Sequence, residues 1–167
     1  MGQRLDSAVD RAQNAGNRAS HTVETMLSIF PTGLGWFGLW GSGRKLAGLI
    51  IGHASEAEVR ARAKKQIKTA SSQDPTEADW NPELRRRLAQ FADGERIDFD
   101  DCVLDIPELS QFQSRVVAAT RKVRYGETIS YGELAKRAGS PGAARAVGSV
   151  MANNRFPIIV PCHRVVA

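Results

Sequence analysis

Residues 130–154 read SYGELAKRAGSPGAARAVGSVMANN, a stretch with two short helical patterns and a turn between them. Ser130 and Glu133 form a capping box, in which a serine and a glutamate three residues later satisfy free amide groups at a helix start. The pattern predicts a first helix over 131–138, ended by Gly-Ser-Pro, and a second over 142–153. Two short helices joined by a glycine-containing turn are typical of a helix-turn-helix.

The second helix is built from unusually small side chains, and Arg145 is its one long cation. Two interpretations of it stay open at this point. The first is close packing against the protein core through its apolar side chains, which are Val147, Val150 and Met151. The second is that its small face enters a DNA groove, with Arg145 inserted between bases. That face comprises Ala144, Gly148 and Ser149.

Nine residues near the end of the sequence, IIVPCHRVV at 158–166, place a cysteine directly beside a histidine. A thiol is a nucleophile only as thiolate, and a neighbouring imidazole is a common means of activating it. The apolar run Ile158–Val160 predicts a buried strand or extended segment that would hold Cys162 at the edge of a pocket on rigid support. A Cys-His pair alone is weak evidence, because most such pairs reflect packing.

The upstream sequence predicts an α+β layer with several short elements. They are a hairpin formed by Leu34–Trp40 and Leu46–Ile51, a helix at 56–68 after Ser55, a loop at 69–79, a helix at 82–93 after Asn81, and an extended segment at 97–106. Ser110 and Gln113 then form another capping box before a further helix. We predict three parts: a polar tail or frayed helix at 1–24, an α/β domain at 25–107, and a helix-turn-helix domain at 108–167.

Charge and composition narrow the class of protein. The net charge is +5, but residues 110–167 hold nine Lys/Arg and two acids, or +7, which suggests a polyanion partner or an ordinary basic surface. The start of the chain has no signal-peptide pattern, and no apolar run is long enough to span a bilayer. Two cysteines are too few for a disulfide framework and fit a reducing, cytoplasmic setting. We read Cys102 as a structural thiol, and Cys102 with His21 and His53 makes no zinc ligand set, so we expect no metal.

Three motifs in order carry a resemblance to a known family. They are YGETISY at 125–131, AARAVG at 143–148 and PCHRV at 161–165. Together they closely resemble the O6-alkylguanine-DNA alkyltransferases, suicidal DNA repair proteins that accept an alkyl group on a cysteine. The resemblance covers about residues 112–166. It implies a small ribonuclease H-like α/β domain, followed by a mainly helical domain that binds double-stranded DNA.

The resemblance also implies roles for individual residues. Cys162 would take the alkyl group from O6 of guanine, and His163 would act as the base that makes the thiolate. Tyr131 would crowd the phosphate and rotate the lesion out of the duplex, while Arg145 would fill its place in the stack. Asn154 corresponds to a hinge asparagine. The base pocket would be formed by Met151, Asn154, Pro157 and Val165. The family implies no cofactor, no membrane contact and a monomer; the sequence leaves open the alkyl-group preference and repair of O4-alkylthymine.

The family pattern continues past the Cys-His-Arg-Val motif with a glycine-rich loop and a helix whose glutamate orients the histidine, whereas this sequence stops at Ala167. We therefore expect a truncated alkyltransferase that transfers methyl slowly or not at all. Three alternatives stay open: a binder of alkylated DNA without transfer activity, an unrelated Cys-His hydrolase, and a sequence-specific regulatory DNA-binding domain. The binder would take no covalent label, the hydrolase would turn over more than one equivalent of substrate, and the regulatory domain would prefer a specific operator sequence.

Overall fold

The computed structural model describes residues 24–69, 74–106 and 109–167. The predicted tail at 1–24 lies outside the described residues except for Glu24, and the predicted boundary at 107/108 falls on residues outside them, so both stay predictions. In the part that is described, a mixed sheet with two helices precedes a group of three helices. The predicted α+β class is confirmed.

Four strands form the main sheet, in the order β3-β2-β1-β4. They are β1 (Met26–Thr32), β2 (Gly35–Ser42), β3 (Lys45–His53) and β4 (Thr76–Glu77). The first three pair antiparallel, while β4 runs parallel to β1, in keeping with the ribonuclease H-like arrangement. The predicted hairpin is therefore β2-β3, with Gly43 at φ +54° in its turn.

The strand β1 was not predicted, although it lies between β2 and β4 in the sheet. Its sequence MLSIFPT contains Pro31, which cannot donate to a strand ladder and so weakens the strand signal. The segment also pairs with residues about fifty positions away, at β4, a partner that its own sequence does not reveal.

Helices cover both faces of the sheet. Helix α1 (Glu56–Lys68) packs Val59, Ala63 and Ile67 against Leu27, Trp40 and Ile50. Helix α2 (Pro82–Ala92) buries Leu84 and Leu88 in a second apolar cluster, which includes Phe30, Phe37 and Leu39 of the sheet. Both helices begin where the sequence predicts, at the side-chain caps Ser55 and Asn81, because each cap accepts a hydrogen bond from an amide of the first turn. Among the described helices, none is long and apolar enough to cross a membrane.

The segment 97–106 was predicted as extended and joins the sheet at one residue only. Leu104 forms an isolated parallel bridge with Leu46. The amide of Leu46 donates to the carbonyl of Val103 at 2.9 Å, and that of Asp105 donates to the carbonyl of Leu46 at 2.7 Å. Turns at Asp100 and Asp101 prevent a longer ladder.

The C-terminal part contains α3 (Gln111–Arg121), α4 (Tyr131–Arg137) and α5 (Ala144–Ala152). The capping box at Ser110 and Gln113 is present as predicted. Helices α4 and α5, joined by a turn that contains Gly139 and Gly142, form the predicted helix-turn-helix. Their shared core includes Val116, Leu134, Val147, Met151 and Val165.

The predicted strand or extended segment at Ile158–Val160 is wrong. These residues form turns, and Ile158 has φ +73°, a left-handed conformation that is strained for a β-branched side chain. Ile158, Ile159 and Val160 are nevertheless buried in the cluster shared with β1, β2, β3 and α2. The apolar run thus reflects burial against the sheet part rather than strand pairing, and burial holds the strained backbone in place.

Candidate functional site

Asn154 fixes the loop that leads to the cysteine. Its side-chain amide donates to the carbonyl of Val160 at 2.8 Å, and its Oδ1 accepts from the amide of Phe156 at 3.0 Å. The amide of Val160 in turn donates to the carbonyl of Phe156 at 2.8 Å. One asparagine side chain therefore joins the start of this loop to its end.

The loop delivers Cys162 to the first position of a short 3-10 helix, Cys162–Arg164. The amide of Cys162 donates to the carbonyl of Val160 at 2.8 Å, and that of Arg164 donates to the carbonyl of Pro161 at 3.0 Å. Cys162 is a free thiol, partly exposed, and it packs against the core of the helical part. We call residues 161–164 the cysteine turn. It offers a thiol that a partner can reach on a backbone fixed by hydrogen bonds.

A two-residue parallel pairing connects the cysteine turn to the helix-turn-helix. Strand β6 (Val165–Val166) pairs with β5 (Ile129–Ser130), with Ile129 opposite Val165. Ser130 is also the N-cap of α4, because its Oγ accepts from the amide of Glu133 at 3.1 Å. The cysteine turn therefore leads directly into one strand of this small sheet, and Tyr131, the first residue of α4, directly follows the other.

His163 lies at the surface of the cysteine turn, but part of its ring faces the protein. Desolvation of that part lowers the pKa of His163 below its ordinary value, and the charge of Arg164 lowers it further. The imidazole is therefore neutral at pH 7 and able to accept a proton. Among the described residues, no side chain makes a hydrogen bond to this ring.

Helix α5 has a buried face and an outer face. This bears on the two interpretations of the helix, packing against the core and entry of its small face into a DNA groove. Val147 and Met151 are buried and Val150 packs against them, as the core interpretation predicts. On the other side, Arg145 and Ser149 are exposed, and Ala144 and Gly148 are partly exposed. The core interpretation and a DNA-facing outer face are thus compatible, because they use different sides of the helix.

Tyr131 lies beside the outer face of α5. A side-chain carbon built on Gly148 would stand 3.9 Å from Cε1 of Tyr131, an ordinary van der Waals contact. In the described part of the chain, Arg145 has no carboxylate partner, whereas Lys136 and Arg137 pair with Glu133. The unpaired guanidinium and the tyrosine ring are therefore both available on the side of the helix-turn-helix that carries the small residues.

A cavity of about 440 Å³ lies between α5, α3 and the loop at 154–160. Met151 and Asn154 line it, but Pro157, Cys162 and Val165 do not. Val165 is buried in the helical core and Pro157 is partly exposed. The described residues thus bring only two of the four predicted pocket residues together in this cavity, and the base pocket stays a prediction.

Two arginines that the sequence did not single out tie distant segments together. Arg121 of α3 donates to the carbonyl oxygens of Phe99, Asp100 and Cys102 at 2.9, 2.9 and 3.1 Å. Arg164 donates to the carbonyl of Val123 at 2.8 Å. No sequence signal marks these contacts, because the partners are main-chain carbonyls distant in the chain. Burial raises the pKa of the Cys102 thiol, in line with a structural role for that cysteine.

Fold and site together define a class: a protein in which a mixed sheet with two helices precedes a helix-turn-helix, with one cysteine beside a histidine on the turn that leads into the small second sheet. Residues 111–167 match the family model described as 6-O-methylguanine DNA methyltransferase, DNA binding domain. The crystal structure of the O6-methylguanine methyltransferase of Mycobacterium tuberculosis is 33% identical with TM-score 0.67, and the likeness covers 86% of this chain and 79% of that one. The M. tuberculosis protein has also been solved in complex with DNA. The chain belongs to the O6-methylguanine-DNA methyltransferase family.

Two curated relatives, both called methylated-DNA-protein-cysteine methyltransferase, show the same likeness. The protein of Mycolicibacterium paratuberculosis is 42% identical over 99 residues, 56% of this chain and 59% of the relative. That of Methanosarcina acetivorans is 46% identical over 107 residues, 63% of this chain and 65% of the relative. The chain thus spans less than two thirds of either relative.

Proposed function

We propose that this protein repairs double-stranded DNA by moving an alkyl group from O6 of guanine to Cys162, once per molecule. The observation that carries the proposal is the pairing of Val165 with Ile129, which ties the strand after the cysteine turn to the strand that leads into the helix-turn-helix. In the proposal, the alkylated nucleotide leaves the duplex to reach this thiol.

The proposed step is a direct displacement at carbon. His163 accepts the thiol proton of Cys162, which leaves a thiolate. The sulfur forms a bond to the alkyl carbon while the bond from that carbon to O6 breaks, and the electron pair stays on the guanine. The guanine is then protonated, and the protein keeps a thioether. Because the thioether is stable and Cys162 is not regenerated, each chain acts once.

The DNA-facing residues fit the requirement for base flipping. An alkylated base must be unstacked, at a cost of a few kcal/mol that is smaller for a damaged pair. In the proposal Tyr131 crowds the phosphate and Arg145 fills the vacated place, while the excess of basic residues over 110–167 supplies charge for the DNA backbone. Ala144, Gly148 and Ser149 allow close approach to the groove. The M. tuberculosis relative has been solved in complex with DNA, which supports DNA as the partner. We place the reaction in the cytoplasm, on nucleoid DNA.

The test is a duplex that carries radiolabelled O6-methylguanine, incubated with the protein and then digested with trypsin. The two cysteines fall in separate peptides, residues 97–115 for Cys102 and residues 156–164 for Cys162. We expect label in the second peptide only, up to one equivalent. Cys162→Ser must abolish it, and the matched control Cys102→Ser must not. More than one equivalent of guanine restored per chain would refute a single-turnover acceptor.

A second candidate function is binding of alkylated DNA without transfer. It is favoured by one observation: within the described ranges no carboxylate or other side chain holds the imidazole of His163, and a base usually needs an orienting partner. In that case a gel shift would discriminate alkylated from plain duplex with no label on Cys162.

A further inference from the structure

Tyr125 connects the cysteine turn to the sheet part of the molecule. Two guanidinium groups lie over its ring, those of Arg96 and Arg164, each with Cζ 5.5 Å from the ring centroid. The ring also forms a T-shaped pair with Phe91 of α2, with centroids 6.4 Å apart and planes at 80°. The ring thus has one contact with the cysteine turn, through Arg164, and two with the sheet part.

The guanidinium group of Arg164 has two partners that hold it in place. Its Nη1 donates to the carbonyl of Val123 at 2.8 Å, two residues before Tyr125. Its guanidinium plane also contacts the Tyr125 ring. Because Arg164 is the last residue of the 3-10 helix that starts at Cys162, fixing this side chain fixes the backbone that carries Cys162 and His163.

A further series of contacts extends from Tyr125 into the first part of the chain. Phe91 packs edge-on against Phe99 at 6.0 Å, and Arg87 of α2 lies over the Phe99 ring at 5.1 Å. Phe99 is buried in the core of the sheet part. The far end of the series is therefore rigid, although the Tyr125 ring is 47% exposed.

We propose that Tyr125 is a positioning residue, which holds Arg164 and thereby keeps the cysteine turn in its reactive geometry. The inference rests on the proposed function for its activity readout. In this proposal, Phe91 of α2 and Arg96 fix the position of the Tyr125 ring, and that ring in turn holds the guanidinium of Arg164. Arg164 also stands beside His163, so its position affects the charge felt by the imidazole.

The test compares Tyr125→Leu, Tyr125→Phe and a matched control, Arg85→Met. The control removes a guanidinium-aromatic contact of similar length, Arg85 over Phe30 at 5.1 Å, in the sheet part. For each full-length variant we would measure the single-turnover transfer rate at saturating DNA, the dissociation constant for DNA, the melting temperature, and the pH midpoint of the His163 imidazole by NMR, assigned with His163→Gln.

We expect Tyr125→Leu to slow transfer about fivefold, in keeping with the strength of cation-aromatic contacts, while DNA affinity changes less than about twofold. The His163 midpoint should rise toward its ordinary value, because the Arg164 charge is no longer held beside it. Tyr125→Phe, which keeps the ring, should match the unmodified protein in both, as should Arg85→Met.

Three results would overturn the proposal. The first is an unchanged rate and an unchanged His163 midpoint in Tyr125→Leu. The second is a Phe variant as slow as the Leu variant. The third is a fall in the transfer rate of Tyr125→Leu that is accompanied by a lower melting temperature and weaker DNA binding. Such a result would indicate general destabilisation. Since the NMR midpoint needs no DNA, it tests Tyr125 even if the protein transfers no alkyl group.

Discussion

Replacing Asn154 with alanine is the sharpest test of how the fold positions Cys162. The side chain makes two hydrogen bonds that join the ends of the loop at 154–160, one to the carbonyl of Val160 and one from the amide of Phe156. Alanine removes both at once and leaves the helix α5 that precedes it unchanged in composition. The adjacent Asn153 provides a matched control, because it is exposed and makes one hydrogen bond, to the carbonyl of Ser149 at 2.8 Å.

The expected loss follows from the hydrogen bonds. Each contributes about 1 kcal/mol net, so the free energy of unfolding should fall by about 2 kcal/mol. The carbonyl of Val160 keeps a second donor, the amide of Cys162, so no further penalty arises there. For a chain of this size the melting temperature should drop by about 4 to 8 °C. Asn153→Ala should cost no more than about 0.5 kcal/mol.

Urea unfolding and single-turnover transfer from O6-methylguanine duplex would measure the two consequences. We expect Asn154→Ala to slow transfer at saturating DNA by about tenfold or more, since misplacing a reactive group by about 1 Å costs about a hundredfold. DNA affinity should stay close to that of the unmodified protein. Equal stability and equal transfer rate in the Asn153 and Asn154 variants would refute the assignment of Asn154 as the residue that fixes the loop.

Three further predictions concern separate parts of the molecule. Arg145→Ala and Arg145→Lys should both slow transfer about tenfold or more in a single-turnover assay if the guanidinium replaces a flipped base, whereas a lysine that restores the rate would indicate a phosphate contact only. Because the pKa of His163 is lowered, transfer should persist below pH 6.5 and fall only as pH drops through that lowered pKa, and Arg164→Met should move this fall to higher pH. Protonation of His163 is likewise harder in the folded than in the unfolded chain, so its contribution to stability is lost as pH falls below about 6.5. Gly48→Ala should lower the free energy of unfolding by about 1 to 3 kcal/mol in urea titrations, since the added carbon would overlap the buried Trp40 ring.

Local signals predicted most of the helices. The caps at Ser55, Asn81, Ser110 and Ser130 all accept a hydrogen bond from the first turn of a helix that starts at the next residue. A cap is a contact between residues two or three positions apart, so the sequence contains both partners. The hairpin β2-β3 was predicted for the same reason, because its glycine turn and its two apolar strands are adjacent in the chain.

The sequence predicted which residues belong to the candidate site, but not how the chain positions them. The motifs around Tyr131, Arg145 and Cys162 marked them by their resemblance to a family. The apolar run at 158–160 was misread, since the sequence shows that these residues are buried but not whether a strand or a set of turns buries them.

By itself, the sequence predicted the starts of the four capped helices and the helix-turn-helix, which depend on neighbouring residues, and its family resemblance marked Cys162 and His163. Only the tertiary structure decided where the cysteine turn lies. That position depends on the Ile129–Val165 pairing, on the Arg164 contact with Tyr125, and on burial of Ile158 against the sheet. These contacts join residues far apart in the chain, and they form because folding buries apolar surface and pairs backbone groups that no local pattern specifies.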